Sequence, residues 1–193
     1  MNKILEIYKK TKAFQEGHFV LSSGLHSSIY LQSAIVLSYP EHLIYIAKDL
    51  VRLIKNKISL NEIDLVVSPA MGGVIIGSKV GEILNKQSIF LERVNSKLVF
   101  RRGFTVEKKS KVIVVEDVVT TGKSSQECID SILKLNAKVL GVFSIINRSI
   151  ENIKYKIPRY SLLSLNAPLY EDNNLPVSSK NIPVNKPGSR FLK

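Results

Sequence analysis

Cysteine is almost missing from this chain: Cys128 stands alone, so no intramolecular disulfide can form and a reducing compartment is expected. Falling in a stretch with helical spacing, Cys128 reads as a small buried hydrophobe. The three histidines, His18, His26 and His42, have no metal-ligand spacing with one another or with the cysteine, which argues against a zinc site. No apolar run approaches the ~18–20 residues of a membrane span, and the N-terminal residues lack the long apolar core of a signal peptide. The expected setting is the cytoplasm, with no membrane partner. Internal repeats and low-complexity segments are also lacking. Acidic residues are few, 16 against 28 lysines and arginines, for a formal charge of +12. A lysine-rich proteome, a polyanionic substrate or nucleic acid would each account for that charge. The lysines are scattered more than clustered, which places nucleic acid last. With 193 residues and 45% hydrophobic content, the chain suffices for one sizeable core, so a single domain spanning 1–193 is expected.

What is present centres on Val112-Ile-Val-Val-Glu-Asp-Val-Val-Thr-Thr-Gly-Lys-Ser-Ser125. Residues 112–115 are a short β-branched run suited to a strand covered on both faces of a parallel sheet. Glu116 and Asp117 follow, then a turn in which Thr120, Thr121, Ser124 and Ser125 offer hydroxyls and Gly122 permits close backbone approach. A helix beginning there would direct unpaired N–H groups and its positive dipole end at the same point, making a cup for a phosphate monoester. A nucleoside-triphosphate loop needs a glycine five residues before Gly122, and that position is Asp117. Acids ahead of a phosphate turn suit a polyol beside the phosphate: carboxylates accept from sugar hydroxyls and hold hydrated Mg²⁺ at one remove. Ribose 5-phosphate has that shape.

Two acids followed by Val118, Val119, Thr120, Thr121, Gly122, Lys123 and Ser124 resemble the phosphoribosyl pyrophosphate (PRPP) signature of the type I phosphoribosyltransferases. A second stretch, with Phe19, Leu21, Ser23, Gly24, Ser27 and Tyr30, is similar to the hood that covers the base in orotate-specific members. It reads as two short strands about a turn at 23–28, where Gly24 can take a positive φ.

Along the rest of the chain, Ile4, Leu5, Ile7 and Tyr8 suggest a short amphipathic helix, and 40–58 carries apolar residues at helical spacing. Residues 65–68 read as a buried strand leading through Met71, Gly72 and Gly73 into a helix to about Leu84. The resemblance implies that this turn cradles pyrophosphate, with backbone N–H groups converging on the anion. Some orotate enzymes carry a lysine in this turn; here Met71-Gly72 stands instead. A third strand near 88–92 is followed by a basic, turn-rich stretch, 94–111, in the place of the family's mobile loop. Arg93 and Lys97 match that loop's arginine and second lysine. Val94 replaces its adjacent lysine, its histidine has no counterpart, and Arg101 and Arg102 are further cations available there. Strand 139–146 ends at Asn147-Arg148. An arginine at that carboxyl end faces the ligand crevice of an open α/β sheet, and its planar fork suits a carboxylate. Residues 160–165 suggest a last strand.

The resulting expectation is an α/β fold: a mostly parallel twisted sheet with helices on both faces, the type I phosphoribosyltransferase fold, with a small hood from about 1–35 and a loop-rich tail from about 166–193. The resemblance implies transfer of the phosphoribosyl group from PRPP to orotate, giving orotidine 5′-monophosphate and pyrophosphate, with Mg²⁺ as cofactor and a homodimer with shared active sites. It assigns Glu116 and Asp117 to the ribose hydroxyls and to Mg²⁺ held by substrate and water, with no direct metal ligand from the protein. Residues 118–124 take the 5′-phosphate, Met71, Gly72, Gly73, Arg93 and Lys97 the pyrophosphate, and Arg148 the orotate carboxylate, with Thr120, Ser23 and Tyr30 about the base. Two rivals remain at this level, a purine phosphoribosyltransferase and a non-enzymatic RNA-binding regulator on the same fold.

Overall fold

The computed structural model describes residues 2–21, 24–148, 156–176 and 182–187. The central sheet has six strands in the order β5-β4-β3-β6-β7-β8: β3 (Leu65–Pro69), β4 (Gln87–Val94), β5 (Lys97–Phe100), β6 (Lys111–Val119), β7 (Lys138–Asn147) and β8 (Arg159–Ser164). All neighbours are parallel except β4 and β5, which form an antiparallel hairpin. The strands expected from the sequence are all present. β6 runs further than 112–116, carrying the two acids and Val118 and Val119 within the strand, because pairing with β7 extends to Val119↔Asn147.

Alternation along β3 and β6 sends side chains into two cores. Val66, Ile113 and Val115 pack with α1 (Lys3–Lys10), α2 (Ser33–Leu37), α3 (Pro40–Lys55) and α4 (Gly72–Leu84). Leu65, Val67, Val112 and Val114 pack on the opposite face with Cys128, Ile129 and Ile132 of α5 (Lys123–Lys134). Helices therefore cover both faces, as the unbroken apolar runs require. Cys128 is fully buried among these residues, and burial pushes its thiol well up. Helix α4 lies close against β3: a Cβ at Gly77 would sit 2.0 Å from Ser68 Oγ.

The hood is larger than the sequence suggests. β1 (Phe14–Val20) and β2 (His26–Leu31) pair antiparallel as expected, with Gly24 at φ 88° between them. The tail, expected to be loop-like, adds a short strand on each side: β9 (Leu169–Tyr170) pairs with β2, and β10 (Val184–Asn185) runs parallel to β1. A two-stranded ribbon leaves both edges unpaired and is marginal alone, and two-residue strands have no periodicity to read. Two buried histidines, His18 and His26, join the same pieces. His18 Nδ1 lies 3.3 Å from Ile182 O, His18 Nε2 is 2.7 Å from His26 Nδ1, and His26 Nε2 is 3.3 Å from Asp172. Helix α2, just after β2, is a further element without a sequence signal of its own.

Candidate active site

The sheet reverses its winding between β3 and β6, the place where open α/β sheets bind ligands beyond the carboxyl ends of their strands. A cavity of about 470 Å³ lies there. Helices α4 and α5 start at its edge, each with first-turn N–H groups that have no intrahelical partner. Met71, Gly72 and Gly73 line one side; Glu116, Asp117, Val118, Thr120 and Ser124 line another; Tyr30 and Arg148 complete it. Residues 40 to 120 positions apart thus meet as the sequence pattern predicts.

The acids are tightly enclosed. Glu116 is 8% exposed, and burial pushes its carboxyl up to about 7, opposed by a hydrogen bond from the Ser125 hydroxyl to Oε2. Ser125, expected among the phosphate hydroxyls, is fully buried and donates to Glu116 instead. Burial also raises Asp117, against hydrogen bonds from the Val118 amide and the Ser33 hydroxyl that favour its charged form. A Cβ at Gly72 would sit 2.5 Å from either carboxylate oxygen of Asp117, so the α4 start closes on the acid only because Gly72 has no side chain.

Arg148 is 3% exposed. Its amide donates to Val119 O at 2.7 Å, and Nη2 donates to Ser27 Oγ of the hood at 2.7 Å. Burial lowers its pKa. Its Nε is buried without a hydrogen-bond partner among the described residues, and Arg148 is one of the residues that line the cavity.

Other expected residues lie off the cavity. Thr121, Gly122 and Lys123 form the turn itself, with Gly122 at φ 71° capping α5 and Lys123 N 3.4 Å from Thr121 Oγ1. Val119 is buried in the sheet. The start of the basic stretch is a hairpin, and three of the arginines here are paired: Arg93 with Glu127 at 3.0 Å, and Arg101 and Arg102 with Glu92 at 3.6 and 2.7 Å. Lys97 lies on the β5 side, away from the chain's own cavity. Ser23 falls outside the described residues. Gln32 lines the cavity and was not foreseen; it stands two residues after Tyr30, and its Nε2 is 3.4 Å from the Tyr30 hydroxyl.

Over 190 residues, the chain is 45% identical to the orotate phosphoribosyltransferase of Thermotoga maritima, covering 98% of this chain and 100% of that protein. The chain belongs to the orotate phosphoribosyltransferase family. It is 42% identical over 189 residues to the orotate phosphoribosyltransferase of Chlorobium phaeobacteroides, covering 98% and 96% of the two chains. No family model matches. Among solved structures, the orotate phosphoribosyltransferase of Aeropyrum pernix superposes with a TM-score of 0.64 at 23% identity, covering 83% of this chain and 93% of that one. An adenine phosphoribosyltransferase from Thermoanaerobacter pseudethanolicus gives 0.59 at 13% identity, over 71% and 88%. The fold is therefore that of type I phosphoribosyltransferases at large, and the sequence relatives carry the choice of base. Like its family, the protein is a phosphoribosyltransferase.

Proposed function

We propose that this cavity joins orotate to the phosphoribosyl group of PRPP, releasing pyrophosphate and forming orotidine 5′-monophosphate. The observation that carries the orotate half is Arg148, a buried arginine among the residues that line the cavity. Its fork suits the orotate carboxylate, which purine bases lack. Thr120, Ser124 and the start of α5 hold the 5′-phosphate, with Glu116 and Asp117 at the ribose hydroxyls. The start of α4 at Met71, Gly72 and Gly73 takes the pyrophosphate. As the bond from ribose C1 to pyrophosphate breaks, positive charge develops on the sugar beside the two acids while the base nitrogen approaches C1, so orientation and charge stabilisation supply most of the catalysis.

The donor set suits Mg²⁺. Two carboxylates face the cavity, and among the described residues no cluster of three His, Cys, Asp or Glu could enclose a metal. A cation that keeps water and diphosphate oxygens as ligands fits that arrangement, with Asp117 reached through water, and it would offset the charge of the leaving pyrophosphate. Arg93 and Lys97 serve the leaving group from a partner subunit in a homodimer, which accounts for their place away from the chain's own cavity. No described helix is long and apolar enough to cross a membrane, and the proposed setting is the cytoplasm.

Pyrophosphate release from PRPP and Mg²⁺ with orotate, and none with adenine or hypoxanthine, is the expected result; release with a purine alone would overturn the reading. Arg148→Ala should weaken orotate binding roughly tenfold to a few hundredfold in calorimetric titration, the worth of a charge-assisted hydrogen bond, with PRPP affinity little changed. Arg148→Lys should recover only part of the loss, because an ammonium lacks the planar fork.

A further inference from the structure

Two serines stand behind the acidic pair, and neither lines the cavity. Ser125, in the first turn of α5, is 0% exposed and donates to Glu116 Oε2. Ser33, the first residue of α2, is 1% exposed, and its hydroxyl is the side-chain group that favours the charged form of Asp117. Its Oγ lies 2.8 Å from the hydroxyl of Tyr8, itself 0% exposed on α1. When Asp117 is ionised it only accepts hydrogen bonds, so the Ser33 proton then goes to Asp117 and Tyr8 donates into Ser33 Oγ. The resulting line runs Tyr8 to Ser33 to Asp117, from the N-terminal helix to the cavity wall.

We infer that Ser125 and the Tyr8–Ser33 pair are positioning residues that hold Glu116 and Asp117 in the orientation the reaction uses, an inference that rests on reading the cavity as the phosphoribosyl site. Each serine engages its carboxylate from the protein side and leaves accepting capacity for a ligand on the cavity side. For Asp117 the remaining freedom is closed by Gly72, where even a Cβ would collide with the carboxylate. Each hydroxyl is carried on a helix whose packing is independent of substrate: Ser125 beside the buried Cys128 and Ile129, Ser33 beside Val36 and Leu37. Orientation is therefore set before ligand arrives, as preorganised charge stabilisation requires. The arrangement also gives the cover helix α1 a route to the chemistry through Tyr8, 25 residues before Ser33.

The test is a pair of mutant cycles, read on kcat and KM with orotate and PRPP, with PRPP affinity measured separately by calorimetry. Ser125→Ala and Ser33→Ala should each lower kcat roughly tenfold or more, with KM changing less, since the lost interaction orients groups used in the transition state. Ser125→Ala should cost nothing further in a Glu116→Gln background, nor Ser33→Ala in Asp117→Asn, because each serine acts through its own acid. Ser33→Ala also strands the buried Tyr8 hydroxyl and will lower stability. The double variant Tyr8→Phe/Ser33→Ala removes both partners, so thermal stability should return toward wild type while kcat stays low. Recovery of kcat along with stability, or full additivity in both cycles, overturns the positioning role. A wild-type protein that turns over normally while both serine variants match it overturns this inference alone. A wild-type protein that fails to bind PRPP overturns the reading of the cavity, and the inference falls with it.

Discussion

At the scale of single residues, Gly72 and Glu116 give the sharpest expectations. Gly72→Ala would place a methyl 2.5 Å from the Asp117 oxygens, so the acid or the α4 start must shift. Overpacking of this kind costs about 1–3 kcal/mol, and the displaced acid should lower turnover far more than stability implies. A turnover assay beside a thermal melt checks both. For Glu116, burial lifts the folded-state carboxyl from the ordinary 4.5 to about 7. Below pH 4.5 both folded and unfolded chains hold the proton. As pH rises from there to about 7, the unfolded chain releases it first, so stability is lost through that window and levels off above it. The Glu116→Gln protein has no such titration, and wild type should lose about 3 kcal/mol relative to it between pH 4.5 and 7 in denaturation series. Parallel pH curves for the two proteins would show that Glu116 ionises normally. Asp117→Asn should fold and lose most turnover, because the amide keeps the shape of the side chain and loses its charge; near-normal turnover at saturating Mg²⁺ would remove Asp117 from the mechanism.

At the scale of elements, the β4–β5 hairpin is the piece whose state matters. Glu127 of α5 holds it twice, through Arg93 at 3.0 Å and through the Leu98 amide at 3.3 Å. Such a partly exposed ion pair contributes about 0–1 kcal/mol, small enough for pyrophosphate to draw Arg93 away. Glu127→Gln should therefore barely change the melting temperature but speed amide exchange across β5; unchanged exchange would show that strand pairing alone holds the hairpin. Lys97→Ala should depress kcat more than nucleotide binding, its proposed partner being the departing pyrophosphate. The basic composition of this stretch is plain in the sequence. Its hairpin form depends on register with β4, from Leu91↔Phe100 to Val94↔Lys97, and its charge pairing depends on α5 lying alongside.

At the scale of the whole molecule, the proposed homodimer makes a distinct prediction. If Lys97 serves the partner's cavity, mixing Lys97→Ala and Asp117→Asn subunits should restore activity, because one of the two shared sites then has both residues intact. Heterodimers that form without recovery would show that each subunit closes its own site.

Much of this protein was legible before folding was considered. The strands at 65, 111 and 138 carry apolar runs whose local composition names them, and the acids, glycine and hydroxyls of the signature follow one another so closely that a strand-to-helix turn must bring them together. Arg148 was legible in the same way, since the carboxyl ends of parallel strands lie at the ligand edge of an open sheet. What only the tertiary structure decided are pairings between distant segments with no shared period. These include Tyr8 with Ser33 and Arg148 with Ser27, 25 and 121 residues apart, and Ser125 turned from the phosphate toward Glu116. They also include His18 against Ile182 across 164 residues, with the tail completing the hood. A buried hydroxyl, imidazole or guanidinium takes whichever partner packing brings within hydrogen-bond reach, and packing is set by the two apolar cores on either face of the sheet, whose composition specifies volume and leaves the identity of polar neighbours open.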